Sequence, residues 1–384
     1  MDELATALAG RAAAGGKARV AGAGHSNVPI ACSDDLLLDL GSLRGLRAVD
    51  AEEKTATFAA GTVIGEIGDA LWAHGLGLRN QGDIDSQQIA GAMATGTHGT
   101  GVELTNFGGA LVAATLVTAA GETLTVDAGE PRLLDALRTS IGLLGVLTDV
   151  TLRVRDSYCV ERTWTGMSWE EFGERWRDLL ADNRHFTFFW NPYDDSASLF
   201  GLPPAPGGEV QVKLMNERPA DAAPRGSGRH EDPEPHVGRS YRVFADTYDP
   251  YFAELEYLVD VEDTIAAVDD IRTLMAVHHP EQRWSVECRF TAGDPGWLSP
   301  AYDRRSCVIS CSGDYREDYL PFLRDCDRAL ANYGARPHWG KLHFPERGRW
   351  ERLYPRLDEF RALRDRLDPG RVLVNDWLEP LAGG

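Results

Sequence analysis

The sequence predicts an α+β protein of two domains, and three observations carry that prediction. The 384 residues suffice for two hydrophobic cores, and 43% of them are apolar, which is ordinary for a globular chain. Short helix and strand patterns alternate up to about residue 156. From about Tyr158 the pattern changes to aromatic strands and amphipathic helices, as in an antiparallel sheet backed by helices.

In the first domain, residues 1–156, an alanine-rich helix runs to about Gly15 and an apolar strand from Lys17 to Ala23 follows. Strands are expected at Leu36 to Leu40 and Thr55 to Ala59, then a helix from Val63 to His74. After a loop of small residues come strands Ala110 to Thr118 and Thr123 to Val126, a helix Pro131 to Arg138 and a strand Val146 to Val154. The second domain, 157–343, contains the aromatic strand Phe186 to Asn191 and the amphipathic helix Glu262 to Ala276. Between Leu202 and Arg239 the chain is dense in Pro, Gly, Arg, Glu and Asp, so it is expected to order poorly, either as a plain insertion or as a lid. A last segment, 344–384, carries a helix and Asp368-Pro-Gly-Arg.

The net charge of −20 and pI near 4.9 leave no basic face for nucleic acid or an anionic membrane surface. The opening residues lack a basic n-region and an apolar h-region, and no run approaches the roughly 20 apolar residues of a membrane span, which predicts a cytoplasmic protein. Six cysteines without a CxxC pair argue against zinc and against a disulfide framework. Cys307 and Cys311, four apart on an extended run, would lie roughly 13 Å apart, too far to bridge. No metal site is expected.

The most informative stretch is Gln81-Gly-Asp-Ile-Asp-Ser-Gln-Gln-Ile-Ala-Gly-Ala-Met-Ala-Thr-Gly-Thr-His-Gly-Thr-Gly101, whose small residues let backbone press against a large, flat, anionic ligand. Upstream, Arg19-Val-Ala-Gly-Ala-Gly-His-Ser-Asn27 runs a short strand into two glycines and a histidine. With Ser140 to Val154, Pro337-His-Trp-Gly-Lys-Leu-His343 and Leu367-Asp-Pro-Gly-Arg-Val-Leu-Val-Asn375, these motifs resemble the vanillyl-alcohol-oxidase (PCMH) type FAD fold. Within it the chain is similar to the sugar-1,4-lactone and alditol oxidases. The resemblance spans nearly the whole chain, with its motifs in the expected order, and implies that the last segment returns to the flavin domain.

The resemblance implies FAD bound by Gly22, Ala23, Gly24, His25, Ser26, Gly82, Asp83, Ser86, Gly91, Ala92, Thr95, Gly96, Thr97, His98, Gly99, Gly145, Val146 and Asn375. It places His25 where the family bonds covalently to the flavin; a neutral imidazole nitrogen suits attack on the 8α carbon. Without the resemblance, a histidine that only caps a turn is the favoured reading of His25. His98 is read as lying near the cofactor with a structural side chain.

In Ser285-Val-Glu-Cys-Arg-Phe290, alternation puts Glu287 and Arg289 on one face, about 7 Å apart. Such a pair is by itself an ordinary exposed ion pair. The resemblance assigns both residues to the substrate side of the flavin, with Lys341 of His-Trp-Gly-Lys. Alternation along 336–344 would put Trp339, Lys341 and His343 on one side, which makes His343 a candidate proton acceptor.

The implied activity is that of a FAD-dependent oxidase. Hydride passes from an alcohol carbon of a sugar, polyol, lactone or related polar natural product to flavin N5, and O₂ reoxidises the flavin. A dehydrogenase using another acceptor and a non-catalytic flavin carrier stay open. A nicotinamide enzyme fits worse, because Gly22-Ala-Gly24 leads into His25-Ser-Asn27 and not to the third glycine of GxGxxG. The expected partners are a small alcohol substrate and O₂, in a monomer or simple homodimer. Two departures from the family pattern are visible. Ala92 stands where alditol oxidases carry a substrate-side serine, and Ser306 to Asp314 lacks the residues of either the polyol or the lactone branch, which points to a different alcohol. The chain also begins inside the usual family start, without the extra first strand.

Overall fold

The computed structural model describes residues 2–229, 231, 234–245, 252–344, 346 and 348–383. Its first sheet has five antiparallel strands in the order Leu46–Asp50, Thr55–Ala59, Val146–Arg153, Leu111–Val117, Thr123–Val126. Beside it, Ala18–Ala21 pairs in parallel with Leu36–Asp39. The helices Asp2–Ala13, Ile64–Trp72 and Pro131–Leu137 lie close to their expected spans. Two of the longer elements were not anticipated. Leu46–Asp50 is a short, half-exposed strand with little periodic signal. The helix Ile89–Thr95 interrupts the small-residue loop, and Gly96 ends it at a φ of 84° that favours glycine.

A second sheet of eight strands runs in the order His236–Arg239, Cys159–Ser168, Glu209–Arg218, His185–Trp190, Val286–Thr291, Ser306–Asp314, Phe252–Asp260, Arg336–Pro337, antiparallel throughout. Alternation sorts its side chains. Phe186, Phe188, Val210, Val212, Leu255, Tyr257, Cys288, Phe290, Ile309 and Cys311 turn to one face. They form a core with Phe172 and Trp176 of helix Trp169–Asp182, Val268 and Ile271 of helix Thr264–His278, and Phe322 and Leu323 of helix Leu320–Ala331. Each such buried side chain contributes about 1.5–3 kcal/mol, against the 0–1 kcal/mol of a surface ion pair, so this apolar face holds the helices. The opposite face carries Lys213, Glu254, Glu256, Glu287, Arg289 and Ser310.

The expectation of a poorly ordered 202–239 segment is corrected here. Glu209–Arg218 is an interior strand paired on both sides, because Val210, Val212 and Met215 bury in Glu-Val-Gln-Val-Lys-Leu-Met despite the polar flanks. His236–Arg239 forms the sheet edge. His230, Asp232 and Pro233 of that segment lie outside the described residues.

The C-terminal segment packs on the first sheet's core through Trp350, Tyr354, Phe360, Val372, Val374 and Leu378. Val372 O accepts a 2.8 Å bond from Ala18 N, and the buried Asp368 carboxylate accepts from Val372 N and Leu373 N at 2.8 Å each, which shapes the turn after Asp368-Pro-Gly. All six cysteines are free. Among the described residues no helix is long and apolar enough to cross a membrane.

Candidate active site

Two cavities meet between the first sheet's loops and the polar face of the second sheet. The first, about 280 Å³, is lined by Gly22, Ala23, Gly24, Val28, Ile30, Ala90, Gly91, Ala92, Gly142, Gly145 and Val146 among others. Small residues make it, and three glycines along it, Gly24, Gly142 and Gly145, adopt positive φ (78°, 68° and 146°), where a side chain would be strained. The second, about 90 Å³, is lined by Gly82, Asp83, Thr97, His98, Phe252, Glu254, Glu256, Glu287, Arg289, His338 and Lys341 among others. His25, Ser26, Gln87 and Thr95 line both, so one elongated ligand placed in them would run from an apolar slot to a charged end.

The wall between them depends on close backbone approach. A Cβ on Gly99 would sit 2.1 Å from Gln81 O, and one on Gly82 would sit 3.0 Å from His98 O, so the two arms of the small-residue loop touch only because both are glycine. The His25 ring, exposed at the junction, has Nε2 2.8 Å from Ser86 Oγ.

At the charged end, Arg289 donates from Nη1 to Asp83 Oδ2 (3.0 Å) and from Nη2 to Glu256 Oε2 (2.7 Å), and its Nε lies 3.6 Å from Glu287 Oε1. Lys341 Nζ pairs with Glu254, whose other oxygen accepts from the Ser310 hydroxyl. The buried Lys213 ammonium lies 3.9 Å from Asp83 Oδ1. His98 Nε2 is 3.0 Å from Glu256 Oε1, and its Nδ1 is 2.7 Å from Gly99 O. Among the described residues no group of three or more His, Cys, Asp or Glu is arranged to hold a metal ion.

Burial works on these groups in opposite directions. It pushes the Glu287 carboxyl up to about 7, with Arg289 only partly offsetting it. Burial also disfavours a charged Glu256, but Arg289 and His98 outweigh it and hold that carboxyl well below the usual range. Lys341 is desolvated too, yet Glu254 and Glu256 raise it. Burial takes the His338 imidazole down to about 3, leaving it neutral, and its Nδ1 accepts from Gly340 N at 3.1 Å.

Glu287, Arg289 and Lys341 therefore share one cavity, but His343 does not join them. The strand ends at Pro337, so the alternation expected along 337–343 is broken. Lys341 turns into the cavity, whereas the His343 ring packs edge-on against Trp339, Trp350 and Trp377 (5.7, 5.7 and 5.5 Å), its Nδ1 2.9 Å from Lys341 O. Burial lowers its pKa to about 4.

Among the residues expected at the cofactor, Gly22, Ala23, Gly24, His25, Ser26, Gly91, Ala92, Thr95, Gly145 and Val146 line the first cavity, and Gly82, Thr97 and His98 the second. Asp83 instead joins the charged cluster through Arg289. The His98 ring does the same, whereas it was expected only to support the loop. Ala92 lines the first cavity and is not among the residues lining the second. Gly96 and Gly99 shape the loop behind the wall. Asn375 acts one step back: its amide donates to Pro29 O and Cys32 O (2.9 Å each) and so holds the turn that brings Ile30 and Cys32 to the slot.

Sequence reasoning missed four contributors. Glu254 and Glu256 alternate in Phe252-Ala-Glu-Leu-Glu-Tyr257, an acidic pair within an apolar strand and the same signal that marked Glu287 and Arg289. Lys213 lay in the segment read as an insertion. Arg19 is buried and donates to Ile30 O (3.0 Å), Ile141 O (2.8 Å), Gly142 O (3.2 Å) and Leu373 O (2.6 Å), which pins three walls of the slot to the C-terminal segment; nothing local in Ala-Arg-Val announces this.

Comparison with known proteins identifies the family and the fold. The FAD binding domain family matches residues 1–127, and the D-arabinono-1,4-lactone oxidase family matches residues 223–381. The L-gulono-1,4-lactone dehydrogenase of Mycobacterium tuberculosis is 33% identical over 99% of this chain and 94% of its own length. The alditol oxidase of a Streptomyces species is 31% identical over 100% and 94%. The L-gulonolactone oxidase of Bos taurus is 26% identical over 94% and 89%. A crystal structure of cholesterol oxidase from B. sterolicum matches the fold with a TM-score of 0.81 at 15% identity, covering 99% of this chain and 92% of that one.

Proposed function

We propose, on the premise that this chain belongs to the family of FAD-binding sugar-lactone and alditol oxidoreductases, that it oxidises a CH–OH group of an uncharged polyol or sugar lactone and that O₂ reoxidises its cofactor. One observation carries the reading: the glycine-lined slot opens, at His25, onto a cavity where Arg289 and Lys341 stand side by side with buried carboxylates. The slot suits FAD because residues 22–24, 91–92 and 142–146 offer backbone and small side chains along it. Bound there, FAD supplies a two-electron acceptor at N5.

The chain's own residues do the rest. Arg289 and Lys341 stabilise negative charge on the substrate oxygen as its proton leaves. Glu287 receives that proton: with its pKa at about 7 and, among the described residues, no tighter partner than Arg289 Nε at 3.6 Å, it suits the task, whereas His343 is out of reach. Every cation in the cavity already has a carboxylate within 4.0 Å, so a carboxylate on the substrate would find no free counter-charge; this favours an uncharged alcohol. His25 at the junction is the residue for covalent attachment of the cofactor.

Anaerobic mixing with alditols and with aldono-1,4-lactones tests the reading. Bleaching of the flavin band by either class, followed by peroxide formation in air, is the expected result; no bleaching with any member of either class overturns it. Bleaching without peroxide selects a second reading, a dehydrogenase with another acceptor, for which the 33% identity to a lactone dehydrogenase speaks.

A further inference from the structure

Arg289 is gripped from two sides by one loop. Asp83 of that loop accepts its Nη1 directly at 3.0 Å. On the other side Glu256 accepts Nη2 at 2.7 Å, and the second oxygen of Glu256 is 3.0 Å from His98 Nε2, which belongs to the same loop. The other His98 nitrogen faces Gly99 O at 2.7 Å, an oxygen that only accepts, and the Glu256 carboxylate likewise only accepts. The ring is thus held between its own backbone and Glu256. The two arms of the loop approach each other closely at Gly82 and Gly99, which ties the placement of Asp83 to that of His98.

We propose that His98 and Glu256 are positioning residues that transmit the placement of the cofactor-lining loop to the guanidinium of Arg289. The inference rests on the reading that Arg289 acts on the substrate. The clamp sets the direction of Nη1 and Nη2, so a bound substrate meets a guanidinium already oriented. A displacement on the order of 1 Å at such a group costs up to about 10²-fold in rate. His98 is almost fully buried, and its side-chain link to the arginine runs through Glu256, so its removal acts on Arg289 through that carboxylate.

A double-mutant cycle on flavin reduction by a substrate found in the anaerobic screen, with His98→Gln, Arg289→Lys and the double variant, tests this. The expected result is that His98→Gln keeps bound flavin and its KM but slows the limiting reduction by about 10- to 100-fold, and that the double variant is no slower than Arg289→Lys alone. The flavin difference spectrum on binding a non-reducing alcohol gives a second readout: both single variants should lose the same part of it. Multiplying losses, or a His98→Gln that reduces at the normal rate, overturn the positioning role and leave the active-site reading standing. An Arg289→Lys variant that reduces normally overturns both. If His98→Gln fails to hold flavin, Glu256→Gln, which keeps size and an acceptor oxygen, takes its place in the same cycle with the same outcomes.

Discussion

Arg289 lies 3.6 Å from Glu287 on its own strand, yet it gives its hydrogen bonds to Asp83 and Glu256, which come from a loop and a strand distant in sequence. Glu287 is left buried, in the cavity, with no counter-ion nearer than Arg289 Nε at 3.6 Å among the described residues, and burial pushes its carboxyl up. An unmatched carboxyl beside two cations is the arrangement that a proton acceptor needs.

The first prediction concerns pH. With the Glu287 carboxyl at about 7, kcat/KM for anaerobic reduction should rise about tenfold per pH unit below that value and level above it, and Glu287→Gln should be slow and flat. The stability effect has the opposite sign. A carboxyl raised from 4.5 holds its proton more tightly in the folded protein than in the unfolded chain, so this contribution is full below the unfolded value and is lost as pH rises through about 7. Melting curves at pH 5.5 and 8.5 should show Glu287→Gln gaining on the parent at the higher pH; a constant gap contradicts the assignment.

Lys341→Met should keep its flavin and reduce at least about 10²-fold more slowly, the scale of losing one electrostatic contact at a developing charge. Rapid mixing without oxygen measures it, and a parent-like rate would remove Lys341 from the site. Because Glu254 then loses its partner, Lys341→Met should also melt lower than the parent.

His25 is expected to carry the cofactor covalently. Acid precipitation should leave the yellow chromophore with the parent polypeptide and release it from His25→Ala. Chromophore wholly in the parent's supernatant would show that the ring only lines the junction.

His343→Phe separates packing from chemistry. It keeps an aromatic ring among Trp339, Trp350 and Trp377 but removes both nitrogens, so reduction should stay within about twofold of the parent, inside the usual scatter of a residue away from the reacting atoms. A loss of about 10²-fold, the ordinary share of a general base, would restore His343 as the proton acceptor.

Arg19→Met should destabilise the protein by at least about 2 kcal/mol, since a buried guanidinium leaves and four carbonyl oxygens lose a charged donor. Denaturant titration measures the loss. Flavin retention should fall with it, because Ile30, Ile141 and Gly142 line the slot.

How far the site can be read without coordinates depends on the range of the forces involved. A two-residue period acting over six residues put Glu287 and Arg289 on one face, but their place in the site was legible only through the family resemblance; the glycine-rich turns were legible because the φ that Gly24 and Gly145 adopt is a local demand. Most elements of the first 156 residues followed from the same short-range periodicities, though not the strand Leu46–Asp50 or the helix Ile89–Thr95. The strand Glu209–Arg218 did not, because its charged and glycine-rich neighbours hid three buried residues.

By itself, then, the sequence determined most of the first domain's strands and helices, which loops admit a large flat ligand, and which family's motifs the chain carries. Only the tertiary structure decided that Phe252–Asp260, two strands away from Val286–Thr291, brings Glu256 to Arg289, that Asp83 crosses over from the loop, and that His343 turns into a tryptophan cluster once the strand stops at Pro337. Those outcomes depend on strand order and on contacts between residues up to 206 positions apart, which no local period encodes.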